Sequence, residues 1–125
     1  MIEVRCVTQW EVKFYEFEEG SSPVFDWYNE QDAKVKAKFA RIFDLLEEHG
    51  ISVKKPYVDS ITDTKLFEIR VEQQTNIYRI LYFAYTGKQF ILLHGFQKKT
   101  QKTPTRHIEL AETRRKDFIS RNKKR

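Results

Sequence analysis

The residues of this chain best suited to chemistry are Arg70, Arg79 and His94, followed by the lysines Lys98, Lys99 and Lys102. Guanidinium groups present planar forks that match phosphate oxygens. An imidazole has a pKa suited to moving protons near neutrality. Together these groups fit metal-independent RNA cleavage, in which a ribose 2′-oxygen attacks the adjacent phosphorus. One group accepts the 2′-proton, cations hold the charge that grows on the phosphate, and another group protonates the leaving 5′-oxygen. Arg70 and Arg79 would supply the electrostatic part, usually the largest, and His94 a proton transfer. Lys98 or Lys99 would share that transfer only with a pKa lowered by burial or neighbouring positive charge. Single-stranded RNA is gripped by stacking bases on aromatic rings; Tyr57 and Phe96 are the candidates, although each would serve equally in a core.

These side chains act together only if strands bring them together. Residues 66–72 alternate, with Phe67, Ile69 and Val71 on one side and Glu68, Arg70 and Glu72 on the other. Residues 77–84 form a more buried strand holding Tyr78 and Arg79, and residues 88–95 complete a meander through Phe90–Leu93. A four-residue loop at 73–76 would place Arg70 opposite Arg79. A two-residue turn at Thr86-Gly87 would place Arg79 opposite His94. The three would then form one row across three strands. Two arginines directly opposed are destabilising, and a bridging phosphate would relieve that. The structural alternative pairs Arg70 with Glu68 or Glu72 and leaves His94 a satisfied core histidine. A register slip of one residue would move a side chain to the other face.

The remaining segments supply the packing. Residues 10–18 alternate loosely and are expected to form an edge strand. Ser22-Pro23 reads as a helix cap followed by proline at the first position, opening a short helix through Tyr28. A second helix is expected over 31–49, with Val35, Phe39, Ile42 and Leu46 on its apolar side and Gly50 closing it. Residues 51–65 read as a loop carrying Lys54-Lys55-Pro56-Tyr57. Thr103-Pro104 repeats the cap-then-proline signal for a last helix, whose thin apolar side is Ile108, Ala111, Phe118 and Ile119. Arg114 and Arg115 are expected exposed on it, where with Lys102 they would contact RNA.

At 125 residues with 40% hydrophobic content, the chain suits a single domain spanning 1–125. Its net charge of +5 is unevenly placed. Residues 1–95 hold 12 Lys/Arg against 15 Asp/Glu, whereas residues 96–125 hold 11 against 3. The positive excess therefore lies in the last quarter, ending in a basic tail at about 119–125, and favours polyanionic partners. Cys6 is the only cysteine, so neither a disulfide framework nor a cysteine metal site is expected. No metal-ligand spacing, phosphate-binding glycine loop or nucleophile motif appears, so no metal or cofactor is expected. No apolar run approaches the ~18 residues of a membrane helix, and the first residues do not read as a signal peptide. The expected location is the cytoplasm, with no membrane partner.

The series Leu66-Phe67-Glu68-Ile69-Arg70-Val71, Tyr78-Arg79-Ile80-Leu81-Tyr82 and Leu92-Leu93-His94-Gly95-Phe96-Gln97-Lys98-Lys99-Thr100-Gln101-Lys102-Thr103-Pro104 resembles the phage-derived Gp49-like, or HigB-type, branch of the RelE/ParE toxin superfamily. The helical pair at 22–49 and Pro56-Tyr57-Val58 agree with it, so the resemblance covers nearly the whole chain. The long third motif is specific; the other two are weak alone. The resemblance implies a compact α+β fold: N-terminal helices on a twisted, mostly antiparallel sheet, and a C-terminal helix. It implies the toxin of a type II toxin–antitoxin system, an mRNA interferase that cuts messages on the translating ribosome. A cognate antitoxin, in this branch usually of the helix-turn-helix HigA type, would silence it. By position the catalytic role would fall on Arg70 and Arg79, with His94, Lys98 and Lys99 at the strand end. Met1–Gln9 and the basic stretch Arg121–Arg125 depart from the common pattern. Two other functions remain open: a DNA gyrase poison, as among ParE relatives, and a non-catalytic module that binds RNA or a partner.

Overall fold

The structure, a computed structural model, describes residues 10–98 and 102–123. Five strands form one sheet: β1 (Glu11–Phe14), β2 (Val58–Ser60), β3 (Phe67–Gln73), β4 (Asn76–Tyr85) and β5 (Gln89–Gln97). Their spatial order is β1-β5-β4-β3-β2. Only β1 runs parallel to its neighbour, β5; the other pairings are antiparallel. Three helices complete the α+β fold: α1 (Pro23–Asn29), α2 (Ala33–His49) and α3 (Thr105–Asn122). No described helix is long and apolar enough to cross a membrane.

Local chemistry accounts for the N-terminal helices. The Ser22 hydroxyl accepts the Phe25 N–H at 3.2 Å, and Pro23 occupies a first-turn position where its missing N–H costs nothing. Asp32 caps α2 by accepting the Val35 N–H at 3.0 Å. Val35, Phe39, Ile42 and Leu46 are the buried residues of α2; their i, i+4, i+7, i+11 spacing makes one apolar face. The chain leaves α2 through Gly50 at φ 62 and makes a single 3-10 turn, Gly50–Ser52.

The helices lie on opposite faces of the sheet. Trp27 of α1 packs against Gly95, whereas the neighbouring residue Phe96 points the other way and stacks on His107 of α3. The central strand β4 is consequently covered on both sides. Its residues 77–83 are all buried, and the run is apolar apart from Arg79. α3 is tied down along its length. Phe118 meets Phe83 and Tyr85 edge-on, Tyr15 donates its hydroxyl to Asp117 at 2.6 Å, and Arg121 donates to the Glu16 carbonyl at 2.6 Å.

Several sequence expectations need correction, among them the four-residue loop at 73–76: Gln73 pairs with Asn76, which leaves a two-residue turn without changing the register. The first strand is shorter than 10–18, although it does form a sheet edge. The segment expected as loop contains β2, whose three residues are too few to show alternation. Thr103 does not cap α3: Pro104 precedes the helix and no side chain caps it. Finally, Tyr85 pairs with Gln89, so the β4–β5 turn has three residues, Thr86-Gly87-Lys88, with Gly87 and Lys88 both at positive φ.

Candidate functional site

The register of β3 and β4 places Arg70 directly opposite Arg79, as the sequence suggested. His94 is not the third member of that row. It lies opposite Leu81, and Phe96 lies opposite Arg79. The longer turn shifts the β5 register by one residue, and a bulge between Leu81 and Tyr82 shifts it by another. Two single-residue shifts restore the original face, so His94 still projects on the α3 side.

Arg79 is 0% exposed. Its Nε lies 3.6 Å from Glu68 Oε2, and its Nη1 donates to the Thr103 hydroxyl at 3.0 Å. Thr103 in turn donates a short hydrogen bond to Glu68 Oε1. The hydroxyl expected to cap α3 thus closes a three-membered polar cluster that pins the start of α3 to the sheet. Burial lowers the Arg79 pKa, the Glu68 charge opposes that, and Arg70 adds to it. A guanidinium buried beneath Thr103 is not presented to a phosphate in this conformation; its contacts hold the fold together.

Arg70 has a different environment. Its side chain is 27% exposed and lies 3.7 Å from Glu72, itself 67% exposed. Its backbone N–H donates to the Tyr57 carbonyl at 3.2 Å. Arg70 lines two adjoining clefts, of about 420 and 310 Å³. The first also contains Lys55 and Tyr57, a residue 39% exposed; the second contains Lys102 and Thr103. Arg70 is thus shared by one cleft with Lys55 and Tyr57 and another with Lys102; Asp59 and Glu68 line both, and Glu72 lines the first, so these cations stand among carboxylates.

His94 belongs to a second group. Its Nε2 lies 2.8 Å from Nδ1 of His107. The His107 ring stacks on Phe96 with centroids 3.8 Å apart and planes inclined by 5°. Phe96, expected to stack a base, is 5% exposed and already covered by that imidazole. Burial, then the charge of Arg114, then His107 push the His94 pKa down to about 4. Burial also lowers His107, helped by Arg106 and Lys98. Both rings are therefore neutral at pH 7, and His94 is in the form that accepts a proton.

On the other face of β5, Gly95 lets the strand approach α1 closely. A methyl group there would overlap the indole of Trp27, so the strand lies flat on the ring between His94 and Phe96, whose side chains turn toward α3.

The other candidates divide between roles. Lys98 is half-buried, and its backbone donates to the Ile77 carbonyl at 3.0 Å. Lys99 lies outside the described residues. Arg114 and Arg115, expected exposed, are both half-buried. Arg114 donates to the Leu93 carbonyl at 2.8 Å and approaches the Phe17 ring at 5.6 Å. Arg115 pairs with Glu112 at 2.8 Å and lies over Phe83. Both arginines spend their donors or their faces on the fold. Among the described residues no group of three His, Cys, Asp or Glu is placed to hold a metal ion.

Sequence reasoning missed His107, the bond of Thr103 to Arg79, and Arg79 as the partner of Glu68. A signal for His107 was present. His107, Ala111, Arg114 and Phe118 recur at i, i+4, i+7 and i+11, which is the α3 face that meets the sheet. A search for an apolar stripe passes over it, because two of its four members are polar.

A search of curated proteins finds no match. The family described as Phage derived protein Gp49-like (DUF891) matches residues 26–116, from α1 to within α3. That span takes in the Arg70 cleft, the buried Arg79 cluster and the histidine pair. The chain belongs to the Gp49-like family of phage-derived proteins.

Proposed function

We propose that this protein is the toxin of a type II toxin–antitoxin pair and that it cleaves mRNA on the ribosome without a metal. The Gp49-like family is toxin-like, and the sequence resembles the RelE/ParE superfamily along nearly its whole length. The observation that carries the reading is the Arg70 site: a partly exposed guanidinium that lines one cleft with the accessible Tyr57 and the adjoining cleft with Lys102. Arg70 and Lys102 hold the RNA backbone to one side of the bond that is cut, and Tyr57 stacks a base. His94, two strands away on the same face, accepts or returns the proton, with Lys98 as the nearby cation. Arg79 acts indirectly, by holding Thr103 and the start of α3 beside the cleft. A helix-turn-helix antitoxin neutralises the toxin, and the ribosome presents the message.

Controlled induction in bacteria, followed by primer extension on cellular mRNA, tests this reading. Growth arrest with discrete, codon-linked cuts is expected, and Arg70→Ala should abolish both. DNA damage without cuts would instead assign a gyrase target. Arrest-free expression with intact mRNA would leave a binding module.

A further inference from the structure

We infer that His94 and His107 handle protons as one unit, with His107 as the positioning residue that sets the tautomer of His94 and connects it to solvent. The inference rests on the RNA-cleavage reading for its catalytic use and extends it to a residue outside the expected set.

The geometry is a shared hydrogen bond. With His94 Nε2 and His107 Nδ1 2.8 Å apart, one nitrogen carries the hydrogen and the other accepts it. When His107 donates, a neutral His94 carries its proton on Nδ1 and can give it away. When His94 donates, its Nδ1 is a lone pair and can take a proton. One concerted shift interconverts the two forms. A proton enters at His107 Nε2, the shared proton passes from His107 Nδ1 to His94 Nε2, and the proton on His94 Nδ1 departs to the leaving oxygen. One proton enters and one leaves, so the pair stays neutral. The reverse shift serves the step in which the 2′-proton is taken up.

The surroundings favour this use. Phe96 stacks on His107 at 3.8 Å and on His94 at 5.4 Å, and the imidazole planes stay within 26° of each other. Leu81, 0% exposed, lies opposite His94 on β4. The charged neighbours are cations: Arg106 and Arg114 from α3 and Lys98 at the end of β5. On β4, Arg79 lies opposite Phe96 and is paired with Glu68 of β3. A second proton on the pair would face all of this positive charge, so the neutral pair is favoured, and its tautomer is set by the shared hydrogen bond.

The test is a pH titration of the full chain, labelled with nitrogen-15 histidine and followed by NMR, for wild type, His107→Gln and His107→Ala. The pair predicts linked titrations of the two rings, and a His94 titration that moves toward the ordinary imidazole range when His107 is replaced. A His94 titration and tautomer identical in wild type and His107→Gln would overturn it. The glutamine variant keeps a polar group of similar reach, so the comparison survives if alanine unfolds the site. In ribosomes programmed with a defined mRNA, His107→Gln should slow cleavage by about 10²-fold and displace the pH profile, in line with the usual contribution of a positioned proton-transfer group. Added imidazole should restore part of the rate to His107→Ala. A wild type that leaves mRNA intact would overturn the cleavage reading and the catalytic use of the pair, while the NMR titration would still decide whether the two rings act together.

Discussion

Arg70 and Arg79 are register partners on neighbouring strands, yet they sit in opposite kinds of environment. Arg79 is on the central strand, covered from both faces and enclosed by Glu68 and Thr103. Arg70 is one strand nearer the edge, beside an exposed carboxylate and an open cleft. A strand spacing of about 4.8 Å separates a charge enclosed within the fold from one that lines an open cleft. The type of residue does not decide its role; the cover over it does.

The largest effect should come from Arg79→Ala, which leaves the Glu68 carboxylate buried with its countercharge removed. A loss of about 3–5 kcal/mol is expected, measured as a lower urea midpoint, so loss of toxicity in this variant would report instability. Arg70→Ala should break the comparison in the other direction. Its urea midpoint should stay near wild type, while mRNA cleavage falls by about 10²-fold, as for loss of a group that positions the substrate. Equal destabilisation by the two alanines would erase the distinction between the sites. Thr103→Val removes the hydroxyl that joins Arg79 to Glu68 but keeps the shape, and should cost about 1–3 kcal/mol.

Acid should sharpen the contrast between His94 and ordinary surface groups. The folded-state pKa of His94, about 4, lies below its unfolded value, so between these two values the unfolded chain binds more protons. His94 therefore contributes stability above roughly pH 6.5 that is lost as pH falls toward about 4. Thermal melts across that window should show a shallower acid loss for His94→Gln than for wild type; parallel curves would count against a buried, neutral His94. The smallest change is expected from Glu72→Gln, at about 0–1 kcal/mol, because its pair with Arg70 is largely exposed.

Much of this arrangement was legible in the sequence because it rests on local rules. Ser22-Pro23 and the Val35–Leu46 stripe located α1 and α2 by capping and periodicity. The alternation in β3 and the β3–β4 turn placed Arg70 against Arg79. The rest depended on events that single residues do not announce. A bulge within β4–β5 and one extra turn residue moved His94 two places along its strand. The depth of Arg79 followed from α3 covering a face that the sequence suggested was weakly covered. Thr103 looked like a cap because its neighbour is a proline, but a buried ion pair competes for the same hydroxyl. Which residues surround the Arg70 cleft depended on β2, too short to be seen as a strand.

The parallel pairing of β1 with β5 has a consequence for how the molecule is assembled. Residues 11–14 bond to residues 89–92, so β1 has no sheet partner until β5 has been made. Closing so long a loop costs entropy before any contact repays it, and such non-local pairings slow folding. The hairpins from β2 to β5 are local and can form earlier. During synthesis the N-terminal strand must therefore wait for β5, and α3, which carries His107, emerges later still. A growing chain acquires the cleft, the buried cluster and the histidine pair together, only once α3 has been made.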